Sequence, residues 1–283
     1  MNKYFFNHDL SPLLGLADSQ IITFIGGGGK TSLMNTLGKE FASHGYPTLL
    51  TTTTHIMKPD FLSDESYIEN EDLGQLANIF TNLKKNTLPL AALGIPEKVV
   101  NSNVKWRSLG SIEPSVITED FCKKIAEFSK KFSTKNPYKF LKILCEGDGS
   151  KRLPIKLPKD GEPVFFPKTD TVISVIGLSC LGKPIKETLF RYELLPNLTS
   201  LDNYFIKSLQ SADIVTTDFL YRLCLSEKGL RKNITSQKFC IIFNQADILD
   251  EKALAEVITL RNQLQTKGIC PHIISVKNNY IIN

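Results

Sequence analysis

A run of four glycines between an apolar segment and a helical segment constrains this chain more than any other feature. In IITFIGGGGKTSLMNTL, residues 20–25 are typical of a buried β-strand, and the residues after Lys30 have helical spacing. Glycines let the backbone turn tightly and direct successive N–H groups at one point, while the helix amino terminus adds positive potential. The feature predicts a phosphate-binding loop composed of Gly26, Gly27, Gly28, Gly29, Lys30, Thr31 and Ser32.

The chemistry of this loop predicts a nucleoside triphosphate, ATP or GTP, as ligand and Mg²⁺ as cofactor. In such loops the lysine, here Lys30, reaches the β and γ phosphates, and the hydroxyl of Thr31 coordinates the metal. The spacing matches the short GxxGK[ST] pattern, because Phe24 replaces the first glycine of the longer GxxxxGK[ST] form. It also resembles the GGxGKT loop of MinD-like proteins, although Ile25 occupies the position of their signature lysine. The alternative is a flexible turn without a ligand, but a strand and a helix flank the glycines as the motif requires.

Strand-length apolar runs alternate with helical patterns, which predicts an α/β fold: a P-loop NTPase-like three-layer sandwich with a mainly parallel sheet. We expect one domain over residues 1–283, with loop insertions near 95–117 and 149–169, where prolines interrupt the pattern. The predicted strands cover residues 20–25, 47–53, 88–93, 140–145, 171–178, 212–215, 238–243 and 272–276. The predicted helices cover residues 31–44, 72–85, 118–131 and 250–267.

A second candidate element is acidic and follows the predicted strand 140–145. In KFLKILCEGDGSKRLPIKLP, Glu146 and Asp148 would lie at the carboxyl end of a strand beside the phosphate loop, where they are candidate metal ligands. Asp148 is also a candidate for a catalytic role. Lys151 and Arg152 are candidates for neutralising the charge that develops during phosphoryl transfer. The alternative is a charged surface turn, because Gly-Asp-Gly-Ser is a common turn sequence.

Two other segments provide weaker candidates. The run TTTTHI contains Thr54 and His55, which would lie near the same edge of the sheet and could supply a hydroxyl and an acid, base or ligand. The segment FNQAD resembles the NKxD element that recognises guanine, so Asn244 and Asp247 are candidate base contacts, with Gln245 in place of the lysine. Both segments could instead be structural, since Asn and Asp are common helix caps and single histidines are often solvated.

Composition excludes several other classes of protein. The net charge of +5 comes from scattered lysines and arginines rather than one basic run, so we expect no nucleic-acid binding. The six cysteines contain no CxxC pair, which fits a reducing compartment. No apolar run reaches membrane-spanning length and no signal peptide is recognisable, so we expect a cytoplasmic protein without a membrane partner.

Taken together, several segments resemble the selenium-dependent molybdenum hydroxylase accessory protein family, YqeC. They are FIGGGGKTSLM, TTTTHI, EGDGSKRLPIKLP, EPVFFP and VIGLSCLGKPIKETLFR. The family's acidic segment resembles EADGSKRLPLKAP, from which Gly147 is the only departure before Arg152. The resemblance implies a P-loop protein that acts in the maturation of these hydroxylases, with a molybdenum hydroxylase or its cofactor-maturation proteins as partners. Arg191, at the end of the last segment, is a further candidate residue.

Three functions remain open from the sequence. The chain could be an NTP-hydrolysing accessory protein or switch that uses Lys30, Thr31 and one of the two acids. It could be a transferase or ligase that activates a small molecule with a phosphoryl group. It could also bind a nucleotide or a nucleotide-containing cofactor without turnover.

Overall fold

The described part of the fold consists of β-strands and of helices that pack against a large sheet. The structure is a computed structural model that describes residues 3–7, 9–69, 75, 78–80, 88–108, 123, 127, 130, 140–198 and 213–282. Its strands are β1 (Lys3–Phe5), β2 (Ile21–Gly26), β3 (Thr48–Thr52), β4 (His55–Met57), β5 (Tyr67–Ile68), β6 (Leu90–Leu93), β7 (Ile95–Val100), β8 (Asn103–Arg107), β9 (Lys142–Glu146), β10 (Ile155–Lys156), β11 (Thr171–Gly177), β12 (Leu189–Phe190), β13 (Lys238–Asn244), β14 (Cys270–Ser275) and β15 (Tyr280–Ile282). The described α-helices are α1 (Leu10–Leu13), α2 (Lys30–Ser43), α3 (Ile185–Thr188), α4 (Thr217–Leu225) and α5 (Glu251–Gln265), and 3₁₀ turns cover Asp64–Ser66, Leu178–Cys180, Tyr192–Asn197 and Ala246–Ile248.

A ten-stranded sheet forms the middle layer, with the order β1-β15-β14-β13-β11-β2-β9-β3-β6-β5. The eight strands from β14 to β5 pair in parallel, and β15 and β1 add an antiparallel edge. Strands β2 and β9 are neighbours in the middle, so the glycine loop that follows β2 and the two acids at the end of β9 and just beyond it meet at one edge. The predicted mainly parallel sheet is confirmed.

Helices cover both faces of this sheet, which completes the predicted three-layer sandwich. Successive residues of a strand point to opposite faces. In β13, Cys240 and Ile242 therefore pack towards the face that carries α1 and α2, whereas Ile241 and Phe243 pack towards α4 and α5. Most central strand residues are buried on both sides, which explains why these strands read as continuous apolar runs.

The structure corrects two predictions about segments outside the sheet. Residues 95–108 of the expected loop insertion form the hairpin β7–β8, and β4 pairs with β8 to make a separate three-stranded sheet. The hairpin turns at Asn101 and Ser102, whose positive φ angles of 48° and 65° suit such a turn. The strand predicted at 212–215 is wrong in its described part, since Ile214 and Val215 make only isolated bridges before α4 begins.

The remaining insertion, 149–169, is largely irregular, as predicted, apart from the short strand β10. The helices predicted at 72–85 and 118–131 lie largely outside the described residues. No helix in the described part of the chain combines the length and the apolar content needed to cross a membrane.

Candidate functional site

The glycine loop connects β2 to α2 in a compact turn that packs against the backbone of Leu153 and Gly177. Gly28 has φ +63°, and a Cβ atom there would lie 2.0 Å from the backbone nitrogen of Gly177. A side chain at Gly27 would meet the Leu153 carbonyl oxygen at 2.4 Å. These positions therefore require glycine for close packing as well as for conformational freedom.

The loop ends at the amino terminus of α2, which begins at Lys30. The first N–H groups of a helix have no partner within it, so they remain available to an anion. Gly29, Lys30, Thr31 and Ser32 all line a cleft of about 640 Å³. The structure therefore brings five of the seven predicted loop residues, Gly28 to Ser32, to the wall of one cleft, whereas Gly26 and Gly27 are buried and do not line it.

Lys30 is almost completely buried beside two carboxylates. Its ammonium lies 3.2 Å from Asp148 Oδ1 and 3.8 Å from Glu146 Oε1, and it donates to the Gly26 carbonyl oxygen at 2.5 Å. Burial alone would lower the pKa of Lys30, but the two carboxylates outweigh it and raise this pKa. The lysine is therefore cationic and held beside the glycine loop.

The two predicted acids occupy different environments although one residue separates them. Glu146 ends β9, lines the cleft and accepts a hydrogen bond of 2.6 Å from Thr31 Oγ1. Asp148 is 2% exposed and accepts from the Gly26 N–H at 3.1 and 3.2 Å. Burial raises the pKa of Glu146, against the opposing effect of Lys30. Of the two acids, Glu146 therefore lines the cleft. Asp148 does not line it and instead holds the glycine loop through its contacts with the Gly26 N–H.

Lys156 and Glu162 extend this charge cluster, and the sequence reasoning did not select either of them. Lys156 Nζ lies 3.3 Å from Asp148 Oδ2 and 2.6 Å from Glu162 Oε2. Glu162 in turn accepts a two-pronged contact from the Arg191 guanidinium, with one bond of 2.9 Å. Charges of alternating sign thus run from Lys30 to Arg191, and we call this set of five residues the charge chain. The sequence signal for Lys156 is its place within the apolar pattern PIKLP, which indicates a buried lysine, and a buried lysine needs charged partners.

Lys151 and Arg152 form a tight turn at the mouth of the cleft. Their φ angles are +49° and +67°, and Leu153 N donates to Ser150 O at 3.0 Å across the turn. Side chains other than glycine, Asn or Asp rarely adopt this conformation, which costs on the order of 1 kcal/mol per residue. Both side chains are exposed and line the cleft, so the turn presents two cations to any ligand there.

The candidates from the threonine run belong to the wall of the cleft that β4 and the residue before it form. Thr54 and His55 both line the cleft, and His55 Nε2 lies 3.3 Å from Glu97 Oε1 in the hairpin. Burial lowers the pKa of His55, as does Lys105, although Glu97 opposes them. His55 is therefore mainly neutral near pH 7, and the three-stranded sheet rather than the main sheet supports this wall.

Asn244 and Asp247, the predicted base contacts, already have partners within the protein. Asn244 Nδ2 donates to Gly28 O at 2.9 Å, and its Oδ1 accepts from Val276 N at 3.1 Å. Asp247 accepts from Ser275 Oγ at 2.6 Å. Base recognition by this pair stays a prediction, but the geometry gives Asn244 a role in fixing the glycine loop.

The cleft as a whole is cationic. Six basic and two acidic side chains line it among the described residues: Lys30, Lys105, Lys151, Arg152, Lys159 and Arg191 against Glu146 and Glu162. This excess of positive charge favours a polyanion.

We predict that Glu162→Gln lowers stability in a manner that depends on pH. Burial would raise the pKa of Glu162, but hydrogen bonds from Arg191 and Lys156 lower it to about 2 from 4.5. A depressed pKa stabilises the folded state above the ordinary pKa, and that contribution is lost as pH falls from about 4.5 towards 2. We expect a loss of about 3 kcal/mol at pH 7, the low end for breaking a buried ion pair. Urea unfolding of parent and variant at several pH values would measure it, and a difference that stays constant from pH 7 to 3 would contradict this assignment.

Comparisons with known proteins cover this same region. The family model described as YqeC protein matches residues 22–193, a range that runs from β2 past Arg191. The "Uncharacterized protein YqeC" of Escherichia coli (strain K12) is 25% identical over 202 residues. That similarity covers 69% of this chain and 66% of the relative, so the chain spans just under two thirds of the relative's length.

Proposed function

Because this chain belongs to the YqeC protein family, we propose that its cleft binds a nucleoside triphosphate with Mg²⁺ and hydrolyses it, and that the protein serves the maturation of selenium-dependent molybdenum hydroxylases. One observation carries the nucleotide part of the proposal. The amino terminus of α2 and Lys30 meet the Thr31–Glu146 pair at the wall of a cationic cleft. A positive helix terminus, a lysine, a hydroxyl and a carboxylate are the groups that phosphoryl-transfer sites combine.

Different groups of the cleft would contact different parts of the triphosphate. The N–H groups at the start of α2 donate to phosphate oxygens, and Lys30 turns from Asp148 and the Gly26 carbonyl towards the terminal phosphates. Such charge-assisted hydrogen bonds contribute about 1.5–3 kcal/mol each. Asp148 keeps its contacts with Gly26 and Lys156, so the loop holds its shape when Lys30 moves.

The donor set at the loop also fits magnesium. Mg²⁺ prefers oxygen ligands and is usually held by one or two protein groups together with phosphates and water. The Thr31 hydroxyl and the Glu146 carboxylate are 2.6 Å apart and would hold the ion between them and the phosphates. When bound, the ion neutralises negative charge on the phosphates. Lys151 and Arg152 would stabilise the charge that grows on the leaving phosphate oxygens.

The decisive test is nucleotide binding and phosphate release by the purified protein. Each of ATP, GTP, CTP and UTP is incubated with and without Mg²⁺, and bound nucleotide and free phosphate are measured. Phosphate release without any added acceptor supports the proposal. Tight binding without release favours a binding protein, and release only with an added acceptor favours a transferase or ligase. No binding of any triphosphate at millimolar concentration would refute the nucleotide site.

We predict that Glu146→Gln removes the Mg²⁺ dependence of nucleotide affinity. The amide keeps the shape of the side chain but loses the negative charge that attracts the ion, so affinity in Mg²⁺ falls at least tenfold and affinity in EDTA changes little. Titration calorimetry under both conditions measures the effect. Glu187→Gln, an exposed replacement on α3, is the matched control and leaves both affinities unchanged. An equal loss in both conditions would assign Glu146 a structural role instead.

The maturation role needs a separate test. A selenium-dependent molybdenum hydroxylase is produced with the parent chain, with a Lys30→Met chain, or without either. Its specific activity and bound selenium are then compared. The proposal expects both to require the parent chain. Equal values in all three samples would reject this role while leaving nucleotide binding intact.

A further inference from the structure

A second cluster of chemically active side chains lies away from the cleft, on β13 and β14. Cys240 and Cys270 face each other in the register of these parallel strands, and His272 follows two residues after Cys270 on the same face. One donor atom from each residue lies within 4.8 Å of the other two, and Cys270 Sγ is 3.3 Å from His272 Nε2. Cys240 lies four residues before Asn244, which contacts the glycine loop, so about 13 Å of strand separates the two sites.

We propose that Cys240, Cys270 and His272 form a binding site for Zn²⁺. Tetrahedral zinc has bonds of about 2.3 Å to sulfur and about 2.0 Å to nitrogen, which places its donor atoms roughly 3.5 Å apart. The Cys270–His272 separation already matches this spacing, and the 4.8 Å limit on the remaining pairs requires only a small rotamer adjustment.

The charge and softness of the donors select the ion. The metal displaces the thiol protons to solvent, and two thiolates with a neutral imidazole balance the two charges of Zn²⁺. Balance matters because Cys240 is fully buried in an apolar cluster. Cu⁺ would leave one uncompensated negative charge there, and the hard ions Mg²⁺ and Ca²⁺ prefer oxygen donors.

The site has an entry route and one open position. Cys270 is exposed and His272 partly exposed, so an ion can enter from solvent and reach Cys240 last. Three protein ligands leave the fourth tetrahedral position to water or to an incoming donor, as in reactive zinc centres rather than closed structural ones. The cluster also lies outside residues 22–193, so it is not part of the match to the YqeC family model.

The test is a zinc titration of the reduced, chelator-treated protein. Zinc is the metal titrated, in a buffer that contains a large excess of Mg²⁺ so that the carboxylates of the cleft do not bind zinc. A chromophoric chelator reports the concentration of free zinc. We expect one equivalent per chain. Cys270→Ser and His272→Ala should each weaken affinity at least tenfold, since even loss of a group that only supports a ligand costs this much. Cobalt in place of zinc should give the thiolate charge-transfer and tetrahedral visible bands in the parent, and both should be weakened in the Cys270→Ser variant.

Matched replacements control for the loss of a cysteine or a histidine elsewhere. Cys224→Ala and His44→Ala, which lie on α4 and just after α2, should bind zinc as the parent does. Circular dichroism of every variant verifies the fold. Less than one equivalent bound by the folded, reduced parent would overturn the proposal, and so would unchanged affinity in both ligand variants. Recovery of a Cys240–Cys270 disulfide from zinc-saturated protein in air would also overturn it, because ligation protects both thiols.

Discussion

Replacing Lys30 with methionine is expected to abolish measurable triphosphate binding. The substitution keeps most of the apolar stem but removes the only ammonium group that the described residues place beside both Glu146 and Asp148. Loss of its charge-assisted bonds, together with uncompensated repulsion between Glu146 and the phosphates, should raise the dissociation constant at least a hundredfold. Titration calorimetry with the preferred triphosphate and Mg²⁺ measures the change.

A control must separate this loss from a loss of folding, because Lys30 also pairs with buried acids. Lys39→Met removes a lysine from the same helix whose ammonium lies over the Phe61 ring, and it should bind nucleotide as the parent does. Thermal unfolding of both variants verifies the fold. If folded Lys30→Met binds a triphosphate with the affinity of the parent, the glycine loop is not a phosphate site.

The largest expected effect on stability comes from Lys156→Met. Lys156 is 1% exposed and lies between Asp148 and Glu162 at the middle of the charge chain. Asp148 keeps Lys30 and Glu162 keeps Arg191, but each carboxylate loses the buried cation that lies between them. Breaking a buried ion pair costs about 3–5 kcal/mol. Urea unfolding at pH 7 measures the free energy of unfolding. Lys159→Met, an exposed replacement three residues later, should change it by no more than about 0.5 kcal/mol.

A double replacement distinguishes a charge effect from a packing effect. In Lys156→Met/Glu162→Gln both charges of one ion pair disappear together, so neither is left without the other. Asp148 keeps Lys30 as its partner. We expect the double variant to be more stable than the sum of the two single losses predicts, by about 1–3 kcal/mol. Strictly additive losses would mean that Lys156 acts through its packed stem and not through the ion pairs.

The charge chain also gives these predictions a functional connection. It begins at Lys30, at the end of the glycine loop, and ends at Arg191, which lines the same cleft from another segment. A ligand that draws Lys30 away from Asp148 leaves that carboxylate with Lys156 as its remaining cation. Lys156→Met should therefore weaken nucleotide affinity as well as stability, even though Lys156 does not reach the cleft.

Local sequence alone determined the α/β class, the position of the glycine loop and most of the sheet. Each of these depends on neighbours in sequence: the apolar run of β2, the glycines, and the helical spacing after Lys30. The position of Glu146 and Asp148 beside the glycine loop could be predicted as well, since residues at the carboxyl ends of parallel strands meet at one edge of the sheet. Boundaries shifted by one or a few residues, as in β9, because strand ends depend on hydrogen bonds to neighbouring strands.

Tertiary structure alone decided which side chains face one another across long stretches of sequence. Asp148 and Lys156 meet because Leu153 and Pro154, just before β10, pack against the glycine loop. Arg191 meets Glu162 across 29 residues. Asn244 contacts Gly28 across 216 residues, which no local pattern could indicate. The cysteines of the proposed zinc site are separated by a helix and meet only because β13 and β14 pair in parallel. Periodicity is a property of neighbouring residues, whereas partnership between buried charges or thiols depends on how distant elements pack.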